Sequence, residues 1–346
     1  MKIDQTIRPL FADFRGSKLN GARSRLAALD LQPVTCNRQL VPLLAIVAAL
    51  LLVLPLTSLA AGEQQFGTPE EAVSALVTAA KNHDTNALHA IFGPTGRDLV
   101  SPDAVQATQE FEAFAQRLSE KTELARPSDS KCLLQLGTEA WPFPIPLVKA
   151  DGKWSFDTAA GRQEVLNRRV GRNELGALAV CRAYVQAQRE YAGKDRDGNE
   201  VLEYAQRLRS TPGKHDGLYW PLRPGEDQSP FGPLIAAARV EGYRRQARIL
   251  TDEPSPYHGY FFKILTRQGK HAAGGKYDYI INGHMIGGFA LVAWPAEWGN
   301  SGVMSFIVSQ QGRIFEKNLG PKTAALAKSM TWYDPDDSWS PVKNQP

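Results

Sequence analysis

The chain has 346 residues, 43% hydrophobic and 22% charged, with 40 Lys and Arg against 36 Asp and Glu. Residues 1–60 hold seven of the basic and three of the acidic side chains, so the remainder is balanced at 33 of each. A near-neutral body gives no electrostatic footing for non-specific attraction to nucleic acid or anionic membrane, and nucleic-acid binding is set aside.

Residues 40–56 are an uncharged apolar run containing Leu43, Leu44, Ile46, Val47 and Leu50. Arg8, Arg15, Lys18, Arg23, Arg25 and Arg38 precede it, and Thr57-Ser58-Leu59-Ala60-Ala61-Gly62 follows. Basic segment, apolar segment and small-residue exit are the order of a secretory signal. Ser58 and Ala60 predict cleavage after Ala60 and a periplasmic or secreted protein. The run, at about 17 residues, sits between a signal core and a span of about 18. The alternative is an inner-membrane anchor through 40–56, and an uncleaved leader is the one membrane contact expected. The basic region is long, and a start near Leu31, Val34 or Leu40 would shorten it. Cys36 precedes the apolar run, which argues against a lipoprotein. Cys132 and Cys181 remain beyond the leader, either as one disulfide or as two buried thiols.

Thr68-Pro69 with Glu71 reads as an N-cap, a first helical residue and a capping box, and Val73, Leu76, Val77 and Ala80 follow at helical spacing. Asp84 caps a second helix stopped by Gly93 and Pro94. Ser101-Pro102-Asp103 starts a third, carrying Val105, Phe111, Phe114 and Leu118. After Arg126-Pro127 the period turns extended, with strands at 131–136, 143–148 and 153–156, the last two joined through Ala150-Asp151-Gly152. Residues 160–192 read as helix with a break near Gly171, and 200–208 as a further helix. The interval 210–260 is rich in Pro and Gly, with one helix over 234–239. Strands follow at 260–266, 277–282, 289–294, 303–309 and 314–317. Their short connections predict an antiparallel meander, covered by a helix over 322–330.

The expected fold is therefore α+β. A leader (1–60) precedes an α+β domain of three helices and a curved antiparallel sheet (62–160). A helical connector with Pro/Gly-rich loops (161–255), an antiparallel β domain with a short terminal helix (256–333) and a polar tail (334–346) complete it. Element order over 66–158, ending in Gly152-Lys153-Trp154-Ser155-Phe156-Asp157, resembles the cone-shaped nuclear-transport-factor-2-like superfamily. That likeness implies a pocket between helices and sheet but no activity. Trp141-Pro142-Phe143-Pro144-Ile145-Pro146, Phe156-Asp157-Thr158-Ala159-Ala160-Gly161, Asn167-Arg168-Arg169-Val170-Gly171-Arg172, Tyr260-Phe261-Phe262-Lys263 and the stretches 191–204, 213–221 and 302–308 resemble one bacterial family of secreted proteins. It is the domain-of-unknown-function family numbered twenty-nine fifty. The resemblance implies an envelope location and a shared fold, with no catalytic assignment. The hairpin 303–317 is also similar to the last strands of some secreted pilin-like proteins.

Candidate chemistry is sparse. Asp195, Asp197, Asn199 and Glu203 around Gly198 offer oxygen ligands for Ca²⁺, yet the ends of an EF-hand loop are missing. The alternative is a turn in which Asp and Asn bond their own backbone. His284 with Asp278 or Glu297 could transfer protons in a hydrolase-type enzyme. Histidine spacing matches no zinc motif, and no Gly-x-Ser-x-Gly turn occurs. Tyr257, Tyr260, Trp294 and Trp298 could line a groove for an envelope protein, peptide or glycan, or else pack in a core. Arg168, Arg169 and Arg172 read as a solvated helix face or as partners to Glu164 and Glu174. The leading expectation is a non-catalytic binding or interaction module of the envelope without cofactor; the rivals are the His284 enzyme and a cation-stabilised structural protein.

Overall fold

The computed structural model describes residues 62–196, 198–243 and 255–343. The expected leader and Asp197 lie outside them. Helix α1 (Pro69–Lys81) starts where the capping residues place it: Thr68 Oγ1 accepts from the Glu71 N–H at 3.1 Å, and Glu71 accepts from the Gly67 N–H at 2.8 Å. Asp84 and Asp103 cap α2 (Thr85–Phe92) and α3 (Ala104–Glu120) in the same way, with a 3₁₀ turn at Pro94–Leu99 between them. The sheet comprises β1 (Thr122–Ser128), β2 (Lys131–Leu136), β3 (Trp141–Pro142), β4 (Leu147–Ala150) and β5 (Lys153–Phe156). Its order is β1-β2-β4-β5, all antiparallel, with β3 also on β2. In β2, Cys132, Leu134 and Leu136 are buried while Lys131 and Leu133 are exposed, the period-2 signature of a one-sided sheet. Asp151 (φ 51°) and Gly152 (φ 77°) form the two-residue β4–β5 turn, whose left-handed backbone matches strand twist. Leu76, Ile91, Leu118 and Phe156 close a first core over this sheet.

Helix α4 (Thr158–Tyr191) runs unbroken through Gly171, contrary to the expected break. An exposed helical glycine costs only about 1 kcal/mol relative to alanine, and neighbours packed on both sides outweigh it. The first half of α4 lies on the N-terminal unit, where a Cβ on Gly161 would stand 2.7 Å from the Ile145 Cα. Its second half contributes Ala177, Val180, Cys181 and Tyr184 to a second core.

That second core also buries Leu218, Trp220 and Phe231 of the region expected to be a connector. Residues 200–208 are not helical. The Gln188 amide donates to the Ala205 carbonyl and accepts from its N–H, both at 2.8 Å, while the Tyr204 N–H bonds the Met285 carbonyl. Backbone groups a helix would satisfy internally are used on distant partners. Helix α5 (Gly232–Val240) follows.

Next come β6 (Tyr260–Leu265), β7 (Arg267–Gln268), β8 (Tyr277–Asp278), β9 (Ile280–Ile281), β10 (His284–Met285), β11 (Ala290–Pro295), β12 (Ser305–Ser309) and β13 (Ile314–Lys317). Helix α6 (Thr323–Ser329), β14 (Trp332–Tyr333) and β15 (Ser340–Pro341) complete the described chain. The main sheet is antiparallel in the order β15-β13-β12-β11-β6. The stretch 277–282, expected as one of its strands, is split instead. β8 joins a small sheet with β7 and the parallel β14, and β9 turns through Asn282 and Gly283 into β10. Strands β11 and β12 are buried along their whole length, which explains their continuous apolar runs. The expected polar tail is also partly structured: Trp339 is buried and β15 extends the sheet along β13.

Cys132 lies in the first core and Cys181 in the second, both as free buried thiols, the second of the two alternatives. Burial pushes the Cys181 thiol up to about 12, leaving it inert. Among the described residues no helix is long and apolar enough to cross a membrane.

Candidate binding cavity

Helix α3 packs on the first core through the buried Leu118 and the partly buried Phe111, Phe114 and Ala115. A cavity of about 540 Å³ lies between α2, α3, the β3–β4 segment and the first half of α4. The α3 residues on this cavity include Gln106, Glu110, Phe114 and Arg117, one helix face at spacings of four, four and three. Val165, Arg168, Arg169 and Arg172 do the same on α4. Phe114 stacks on Phe143 at 5.4 Å, and Phe92 leans on Phe143 at 6.2 Å and on Phe156 at 5.5 Å. Phe92, Phe111 and Phe114 remain half-buried because the cavity leaves one side of each uncovered.

The polar groups gather on two flanks. Trp141 carries the Arg168 guanidinium 5.1 Å and the Arg117 guanidinium 5.5 Å from its ring centroid. Arg168 also pairs with Glu164 at 2.7 Å, the partner expected from the i, i+4 spacing. Arg169, read as a solvated helix residue, is 1% exposed. Its Nη1 donates to the Val100 carbonyl (3.1 Å) and Asn300 Oδ1 (2.6 Å), and its Nη2 donates to the Leu99 carbonyl. Burial draws Arg169 below the ordinary arginine range, with Glu110 at 3.5 Å opposing that shift. Glu110 also takes Arg172 at 3.1 Å, while Glu174, the other expected partner, accepts the Val303 and Met304 N–H groups instead.

A buried polar network joins this flank to the C-terminal unit. Ser101 donates to Gln106, Gln106 to Asn173 and Asn173 to the Ser301 carbonyl, at 2.6, 2.6 and 2.9 Å. Asp103 accepts from the Tyr243 hydroxyl at 2.8 Å and from the Gly259 N–H at 3.2 Å. Burial, and then Asp103, push Tyr243 far above the phenol range, so it remains a donor. Gly259 has φ +71° and approaches Asn173 so closely that a Cβ would sit 2.5 Å from its Nδ2, a place open only to glycine.

A family model described as Protein of unknown function (DUF2950) matches residues 63–342. The chain belongs to this family. No curated protein and no solved structure matches it. The family description names no reaction, so the geometry of this member has to supply the chemistry.

The aromatic groove expected in the C-terminal region is not exposed. Tyr257, Tyr260 and Trp294 are 5%, 0% and 3% exposed and belong to the second core; only Trp298, at 37%, reaches solvent. Tyr260 gives its hydroxyl to the Met304 carbonyl, and Trp298 gives its Nε1 to Asn318. Strand alternation points Tyr260 and Phe262 into that core, which periodicity alone could not distinguish from a groove wall.

His284 has a carboxylate, but neither of the two expected. Its Nδ1 lies 2.9 Å from Glu203 Oε1, whereas Asp278 pairs with Arg267 and Glu297 bonds Asn300. Glu203 is committed on both oxygens, accepting also from Asn199 Nδ2 at 2.8 Å and the Met285 N–H at 3.0 Å. The arrangement clasps the 199–205 segment to the β9–β10 hairpin. Burial raises the Glu203 carboxyl, but the bonds from His284, Asn199 and Met285 outweigh it and hold it below the usual range. Such a group stabilises the fold above the unfolded pKa of about 4.3 and loses that contribution as pH falls through its lower folded value. Glu203→Gln is therefore expected to cost about 1 kcal/mol at neutral pH and to flatten the loss of melting temperature below about pH 4. Equal acid slopes in wild type and variant would contradict this.

Asp195 behaves as the capped-turn reading requires, its carboxylate accepting from the N–H groups of Gly198 (2.8 Å), Asn199 (3.3 Å) and Glu200 (2.9 Å). Asp197, the third acidic member of the proposed calcium set, lies outside the described residues. Among the described residues no group of three or more His, Cys, Asp or Glu is placed to hold a metal ion.

Proposed function

We propose that this protein is a non-catalytic binding module of the cell envelope, and that its ligand seat is the cavity of the N-terminal unit. The carrying observation is the space itself: about 540 Å³ with half-buried aromatic walls, in a region that a folded domain would otherwise fill. Ligand pockets are usually of this size and mostly apolar, with a few convergent polar groups. A seat walled by α2, α3 and α4 suits a small molecule better than a glycan strand or extended peptide.

A neutral solvatochromic dye is expected to bind and shift its emission. Val165→Phe combined with Ala113→Phe places two rings in the cavity from facing helices. The pair is expected to weaken dye binding at least about tenfold while far-UV circular dichroism stays unchanged. Undiminished dye affinity in the folded variant would place the site elsewhere and overturn the reading.

A further inference from the structure

We infer that the cavity takes an amphipathic anion, one acidic head group on an apolar body, with the head at the Arg117–Trp141–Arg168 end. The inference rests on the binding role proposed above and adds the class of ligand. Four guanidiniums line the cavity, and arginine stays charged at any ordinary pH. Two carboxylates answer them: Glu164 pairs with Arg168, and Glu110 is shared by Arg169 and Arg172.

The excess charge is localised. Among the described residues Arg117 makes no ion pair, and its charge rests on the face of Trp141. Arg168 uses Nε on Glu164 and Nη1 on the Pro142 carbonyl, which leaves Nη2 uncommitted among the described residues. Two guanidiniums with donors to spare thus stand around one indole, at the rim of a chamber whose walls are Phe92, Phe111, Phe114 and Phe143. Stacking on the ring holds each cation in place without consuming its N–H groups. A bound carboxylate or phosphate would receive charge-assisted hydrogen bonds there, while its apolar portion covers the open faces of the phenylalanines.

Neither a neutral nor a cationic amphiphile matches this surface. An alcohol leaves the guanidiniums unanswered, and an ammonium head adds repulsion. Arg169 stays outside the proposal, since it is 1% exposed and its Nη1 and Nη2 already donate to Leu99, Val100 and Asn300. It shapes the cavity and does not greet the ligand.

The test uses protein recovered from cells expressing the full chain, with displacement of the neutral dye as readout. The competitors are dodecanoate, dodecyl phosphate, dodecanol and dodecyltrimethylammonium. The two acidic amphiphiles are expected to displace the dye at least about tenfold more tightly than the alcohol, and the ammonium most weakly. The better of the two acids identifies the head group. Arg117→Gln is expected to remove most of that preference, and Arg117→Gln with Arg168→Gln all of it, with dye affinity within about twofold of wild type as the control for folding and cavity. Equal binding of acid and alcohol, or a preference that survives the double substitution, would overturn the anionic class while leaving the cavity reading intact. Failure of the dye itself to bind would remove both.

Discussion

Trp294→Ala is expected to cost about 3–5 kcal/mol, the usual penalty for emptying a large buried aromatic site. Trp294 sits on β11 between β6 and β12, is 3% exposed and leans on Phe261 at 5.8 Å. Trp298→Ala, only four residues on, is expected to cost about 1 kcal/mol or less, because that ring is 37% exposed and loses mainly its bond to Asn318. Trp294 Nε1 is buried without a hydrogen-bond partner. Trp294→Phe should therefore be much milder than alanine, since it removes an unsatisfied donor along with part of the ring. Urea unfolding of the three variants checks the order; a Trp298 loss equal to that at Trp294 would contradict the burial argument.

Arg169→Met is expected to cost about 3 kcal/mol. The methionine keeps an apolar stem, but the Leu99 and Val100 carbonyls and Asn300 lose their donor, and Glu110 is left with Arg172 alone. Arg172→Met, at a side chain 57% exposed, should cost no more than about 1 kcal/mol because solvent already screens that pair. The comparison is read from the urea midpoint at constant slope. Because Arg169 ties the 3₁₀ turn to the loop at Asn300, its loss should also disturb the cavity, visible as weaker dye binding in the folded fraction. Equal losses at Arg169 and Arg172 would show that the buried position carries no special load.

Local chemistry was legible wherever a few neighbouring residues settle the outcome. Thr68, Asp84 and Asp103 start helices because a side-chain oxygen must meet the free N–H groups of a first turn. Alternation over Lys131–Leu136 and the turn at Asp151-Gly152 are settled within six residues of chain, as is the closure of Asp195 on the backbone that follows it. Glycine, proline and capping side chains act over one turn of chain, so their meaning does not await a partner. The family, too, could be read from short stretches such as Trp141-Pro142-Phe143-Pro144, and its match extends from residue 63 to 342.

Choices among distant partners needed the folded chain. Tyr260 and Trp294 carry the composition of a binding surface, and only strands on both sides of β11 make them core. His284 could have taken any of several carboxylates; the fold brings Glu203, 81 residues earlier, and leaves Asp278 to Arg267. Residues 200–208 have helical composition, yet Gln188 and Met285 claim their backbone. The arginines at 168, 169 and 172 look alike in a helical pattern, but contacts from Leu99, Glu110, Trp141 and Asn300 make one a buried tie, one a stacked rim cation and one a surface pair. The cavity depends on how α2, α3, the β3–β4 segment and α4 come together, a property of how elements pack. Capping and turn energies are local and survive in any context, whereas burial and pairing are decided by which surfaces meet.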